Sequence, residues 1–199
     1  MESPASIRQF WFGDDADDRV TSERQAALWW SKDEAADRLI RERFEAPLAA
    51  AADGRLDAWA DSAEGLLALI LLTDQFPRSM YRDDARAFAF DPLARRWCRL
   101  ALQRQADAAL RPIERVFVYL PLEHSEAQDD QRQALELFGA LLRQAPPELR
   151  DVYAGYFDFA QRHHDIITRF GRFPHRNAIL GRTSTPQETA FLQQPGSSF

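Results

Sequence analysis

The stretch GLLALILLTDQF, residues 65–76, constrains the fold more than any other. Its apolar residues leave no polar face, so a helix built from it must be enclosed by the rest of the chain. Ser62 is placed to cap its start. Asp74 and Gln75, at its far end, are carried to the edge of the core by the sequence alone. Pro77 disfavours the helical conformation at Phe76, so the expected stop falls there. With 199 residues, 45% of them hydrophobic, the chain can enclose such a helix within one domain spanning 1–199.

Helical signals recur on both sides of this stretch. Ser3 and Pro4 start a helix carrying Ile7, Phe10, Trp11 and Phe12, which Gly13 ends. A second runs from Ser22 to Trp30. Ser31 and Glu34 have capping-box spacing and open a helix to about Ala52, with Ala35, Leu39, Phe44 and Leu48 facing inward. Asp91 is read as a cap with Pro92 at the first helical position. Pro112 begins a segment that Pro121 cuts, and Ser125 with Gln128 caps a helix from Glu126 to Gln144. A long helix from Pro147 to Phe170 closes at Gly171, Thr185 to Glu188 open a last short one, and the tail from Pro195 to Phe199 is expected to fray. No alternating β-branched run bounded by hairpin turns occurs. The expectation is an all-α fold of antiparallel hairpins stacked in an array, with no clean sequence repeat.

Composition narrows the function classes. No apolar run reaches the ~18 residues needed to cross a membrane, and the start MESPASIRQFWFG lacks a secretory pattern. Cys98 is the lone cysteine, which fits a reducing, cytoplasmic setting. A net charge of −6 argues against coating nucleic acid. Lys32 is the sole lysine, so positive charge is arginine, suited to bidentate contacts with carboxylate or phosphate. No metal-ligand spacing, phosphate loop or nucleophile elbow is present, and no cofactor is expected.

Three stretches concentrate polar residues beyond what core filling requires. In HHDIITRFGRFPHRN, His163 shares an otherwise apolar helix face with residues 156, 159, 166, 167 and 170, while Asp165 and Arg169 have the spacing to pair along the helix. Arg172, His175, Arg176 and Asn177 follow Gly171. They either satisfy the helix C-terminus or converge on an anion. In PLEHSE, Glu123 and Glu126 flank His124, the pairing that orients a general base. Asp74, Arg78 and Arg82 in DQFPRSMYR form either helix-joining pairs or the opposite side of a pocket.

LLTDQFPRSMYRDDARAFAFDPLA, VYLPLEHSEAQDDQ and HHDIITRFGRFPHRNAILGRTSTPQE together resemble the bacterial family called domain of unknown function 924, and the likeness covers almost the whole chain. The resemblance implies a tetratricopeptide-like helical fold. It marks Asp74, Gln75, Arg78, Tyr81 and Arg82, then Glu123, His124 and Glu126, as motif positions. It likewise marks His163, Arg169, Arg172, His175, Arg176, Asn177 and Arg182, while His164 departs from the arginine expected there. It carries no reaction, cofactor or partner.

Three readings follow. The first is a groove whose arginines and histidines bind an anionic small molecule or a peptide terminus. The second is a hydrolase in which His124 or His163 acts as general base, oriented by Glu123 or Glu126. In the third, the polar residues form a structural network with no ligand.

Overall fold

A computed structural model describes residues 2–197, and among them it contains helices and no strand. The chain runs through α1 (Pro4–Phe12), α2 (Asp18–Trp30), α3 (Glu34–Ala52), α4 (Ala63–Ile70), α5 (Phe76–Met80) and α6 (Asp91–Gln103). It continues through α7 (Pro112–Glu123), α8 (Gln128–Gln144), α9 (Arg150–Phe170) and α10 (Pro186–Leu192). Every residue of α4 from Gly65 to Ile70 is buried, as its uninterrupted apolar sequence requires. α1, α6 and α7 pack around it, α3 covers α5, and α7, α8 and α9 pack in succession. The rings of Phe10 and Trp11, on α1, meet those of Phe44, Phe76 and Phe117 in tilted and edge-to-face contacts, and Phe44 stacks on Phe76.

Ser62, Gly171 and the Thr185–Glu188 box act as the sequence indicates: Ser62 Oγ accepts from Gly65 N–H, Gly171 has φ 70°, and Thr185 Oγ1 accepts from Glu188 N–H. The residues of Pro195–Phe199 beyond position 197 lie outside the described residues.

Several helix boundaries differ from expectation. α2 begins at Asp18 because the Asp17 carboxylate accepts from Arg19 and Val20 N–H, extending the helix ahead of Ser22. α3 is capped by Asp33, not Ser31, which ends α2. Ala35 and Leu39 face solvent, and Ile40 points inward beside Phe44 and Leu48. Pro121 does not cut α7: it forfeits one backbone bond near the helix end, and Leu120 O still accepts from His124 N–H at 2.8 Å. Asp91 is the first residue of α6 and leaves the cap role unfilled, its carboxylate being engaged elsewhere. Ser125 turns its hydroxyl to Asp130, 2.6 Å away, and α8 starts at Gln128.

The largest departure lies at the end of the central helix, which does not stop at Phe76. Leu71–Gln75 widens into a π turn and the helix resumes as α5, with Phe76 N–H donating to Leu71 O. A widened turn just before Pro77 displaces the carbonyl that a proline ring would otherwise meet. The consequence is positional: Asp74 stays inside the protein, fully buried.

Candidate functional site

Asp74 is the centre of the polar cluster. His124 Nδ1 lies 2.9 and 3.1 Å from its two oxygens, Gln75 Nε2 donates at 2.5 Å, and Arg78 Nη1 is 3.4 Å away. Burial alone would raise its carboxyl, but the charge of Arg78 and the contact with His124 hold it well below the usual carboxylate range. An ionised Asp74 accepts the Nδ1 hydrogen of His124. In the neutral ring, Nε2 is then the basic nitrogen. Burial, Arg78 and Arg176 lower the His124 pKa, with Asp74 opposing them, so the ring is a neutral proton acceptor near pH 7.

Two arginines share one further carboxylate. Arg78 reaches Asp91 through Nη1 at 3.0 Å and Nη2 at 3.3 Å, and also donates to Asp74 O at 2.6 Å. Arg176 Nη1 donates to His124 O at 3.0 Å and lies 3.5 Å from Asp91 Oδ2. Its guanidinium sits over the rings of Phe173 and Phe88, 4.4 and 4.7 Å from their centroids. Only 7% of the Arg176 side chain is exposed, and Nε has no hydrogen-bond partner among the described residues. Burial and the neighbouring Arg78 bring its pKa down to about 10.

A second pair lies behind the first. His163, on α9, is buried and donates from Nδ1 to Phe159 O at 2.8 Å, with Glu123 Oε1 3.2 Å from the same nitrogen. Burial and the nearby Asp74 push the Glu123 carboxyl up to about 8, and burial and His124 bring His163 down to about 3. At neutral pH both are uncharged, so their contact is dipolar and not an ion pair. The His124 and His163 rings stand 6.1 Å apart.

The other expected site residues serve different geometry. Glu126 accepts from Phe173 N–H and from both terminal nitrogens of Arg182, at 2.8–3.0 Å. It therefore braces the 173–182 loop and does not orient His124. Arg172 is bound bidentately by Glu188 of α10, and Asn177 Nδ2 donates to Ser184 Oγ. Arg82 pairs bidentately with Asp37 of α3, in a separate shallow depression with Met80. Arg169 lies over Phe170 and Phe191 and forms no pair with Asp165, whose Oδ1 accepts from Gln161. His175 is half-buried with its ring 5.6 Å from Phe173, and burial together with Arg176 brings its pKa to about 4.

These elements enclose a cleft of about 320 Å³ between the start of α6, the α7–α8 turn and the 173–182 loop. His124, Asp91, Arg176, Ser125, Glu126 and Arg95 supply its polar wall, and Phe88, Pro92 and Leu180 an apolar one. Arg95 donates to Ser125 Oγ at 3.0 Å and lies 3.4 Å from Asp130. Asp91, Arg95, Phe88 and Leu180 are absent from the residues singled out in the sequence. Asp91 was masked by its resemblance to a cap before Pro92, and the other three carry no local signal. Among the described residues, no group of three or more His, Cys, Asp or Glu is arranged to hold a metal ion, and no helix is long and apolar enough to cross a membrane.

Fold and site together define an all-helical protein with a small polar cleft beside a carboxylate-held histidine. Residues 7–196 match the model of the bacterial proteins of unknown function termed DUF924, and the chain belongs to that family. It is similar to the solved structure of a protein of unknown function from Agrobacterium tumefaciens, at 39% identity and a TM-score of 0.81, over 96% of each chain. No curated protein matches it.

Proposed function

We propose that the cleft binds a small molecule carrying an anionic group, with Arg176 as its main donor. The observation that carries this reading is the incomplete compensation of the Arg176 charge. Its guanidinium is buried against two rings, and the carboxylate within ion-pair distance, Asp91 at 3.5 Å, is already held bidentately by Arg78. Burying a charge without a full partner is costly, and an anion entering the cleft would supply the missing partner. Arg95 also lines the cleft, with Ser125 Oγ and Asp130 as its present partners. Arg172 and Arg182, spent on Glu188 and Glu126, are supports of the loop in this reading.

A thermal-shift panel of inorganic phosphate, acetate and benzoate tests the reading. At least one anion should raise the Tm of the wild type, Arg176→Gln should abolish the rise, and Arg172→Ala should retain it. Equal responses of wild type and Arg176→Gln would remove the proposal and favour the ligand-free network.

The Asp74–His124 contact favours a second reading on the same site, hydrolysis with His124 as general base. His124 lines the cleft, and a neutral imidazole held by a buried carboxylate is suited to take a proton from water. Glu123 Oε1 is 3.2 Å from His163 Nδ1 and the His124 and His163 rings are 6.1 Å apart, and of the three residues only His124 borders the cleft. Turnover of a panel of ester and amide substrates that disappears in His124→Gln would support it. Turnover unchanged by that substitution would dismiss it.

A further inference from the structure

We infer that the ligand of this cleft is a monocarboxylate bearing a compact apolar body, such as an aryl or branched aliphatic acid. The inference rests on the anion-binding reading above and specifies its ligand class. Charge sets the first limit. Arg95 and Arg176 on the polar wall are accompanied by Asp91 and Glu126, so the formal charges there sum to zero with His124 neutral. A monoanion on the arginines replaces part of the share that Asp91 divides between Arg78 and Arg176. A dianion such as a phosphate monoester would bring a second negative charge against two carboxylates already ionised in their ion pairs.

Shape and polarity set the second limit. Leu180 is one of the few large hydrophobic residues left exposed, at 38%, and it stands at the cleft beside Phe88 and Pro92. Its position is fixed: Leu180 N–H donates to Arg176 O at 2.9 Å, and Gly181 closes the turn at φ 65°. The same short turn therefore presents a cation at one end and an apolar side chain at the other. A ligand that meets both needs an anionic head directly attached to an apolar body. The volume, about 320 Å³, lies at the small end of ligand sites and limits that body to one ring or a short branched chain.

Isothermal titration of the full-length protein with acetate, benzoate, isovalerate and phenyl phosphate tests this, together with Leu180→Asn. Benzoate and isovalerate should bind about tenfold more tightly than acetate, the increment that burying a small apolar group confers. Both should also bind more tightly than phenyl phosphate. Leu180→Asn should unfold at the wild-type Tm in the absence of ligand and lose most of the benzoate advantage over acetate. Tighter binding of phenyl phosphate, or equal affinity for acetate and benzoate, overturns the ligand class while leaving the anion site standing. No binding by any of the four overturns both.

Discussion

His124 Nδ1 stands 2.9 Å from Asp74 Oδ1 across fifty positions of sequence, joining the end of α7 to the π turn that precedes α5. Asp74 thereby fixes both the ring orientation and the tautomer of the one histidine that borders the cleft beside Arg176. Replacing it with asparagine keeps the size and removes the charge. Arg78 and Arg176 would then share Asp91 alone, and loss of one partner of a buried pair typically costs about 3 kcal/mol or more. Urea unfolding of Asp74→Asn should show that loss. The His124 pKa, followed by NMR, should fall below its wild-type value. Unchanged stability and an unchanged titration would mean that Asp74 does not carry this charge.

Glu123 gives a pH dependence of the opposite sign to an ordinary ion-paired acid. Its pKa is raised to about 8, so the folded state holds a proton that the unfolded chain releases near 4.5. The cost to stability is absent below pH 4.5, grows as pH rises toward 8, and is constant above. Glu123→Gln, neutral at every pH, removes that cost. The variant should equal the wild type near pH 4 and exceed it by roughly 2–4 kcal/mol at pH 9. Chemical denaturation at the two pH values measures the difference, and a variant less stable at pH 9 than at pH 4 relative to wild type would contradict it.

The histidines act on the acid side. Their pKa values are lowered by burial, to about 3 for His163 and about 4 for His175, so the folded rings stay neutral where the unfolded chain is already protonated. Stability should therefore fall as pH drops below 6.5 and continue falling to about 3–4. His163→Gln should flatten that acid limb. An acid limb of unchanged slope would show that His163 titrates normally.

Gly65 is confined by contact. A Cβ built on it would lie 1.8 Å from Trp59 O, because the start of α4 abuts the preceding turn at Asp57–Asp61. Backbone there cannot yield as a flexible side chain would. Gly65→Ala should lose ~3 kcal/mol or fail to fold, at or above the upper end of overpacking costs. Thermal unfolding reads this directly, and a Tm within two or three degrees of wild type, the shift of only ~1 kcal/mol in a chain of this size, would be incompatible with the packing.

Glu126 supports the loop that carries Arg176. With Glu126→Ala, Phe173 N–H loses its acceptor and Arg182 its carboxylate. Hydrogen exchange at Phe173 should accelerate at least tenfold, with exchange in α4 unaltered, as for a local opening. Equal protection of Phe173 in the two proteins would show that the loop is held by other contacts.

The helices were legible where local chemistry decides. The apolar run of α4, the Thr185 box and Gly171 depend on neighbours within a few residues. The site was legible in its members and much less in its pairings. Asp74 and His163 were marked as polar residues in apolar surroundings, and Arg78, His124 and Arg176 by their clustering with other polar residues. That His124 pairs with Asp74, and not with Glu123 or Glu126, depends on the π turn, which adds a residue to the helix and leaves no local signature. Arg172 and Arg182 look like anion donors in sequence because their acceptors, Glu188 and Glu126, are sixteen and fifty-six positions away. Asp91 was concealed by the proline after it.

The most direct test is a long-range proton–nitrogen NMR titration of His124 in the wild type and in Arg176→Gln, with and without benzoate. In the free wild type at pH 7 the expected ring is neutral with its hydrogen on Nδ1. Benzoate should shift its Nε2 resonance and raise its pKa, and the Arg176→Gln protein should show neither change. A ring protonated on Nε2, or the same response in both proteins, would contradict an anion site built on Arg176 beside a histidine held by Asp74.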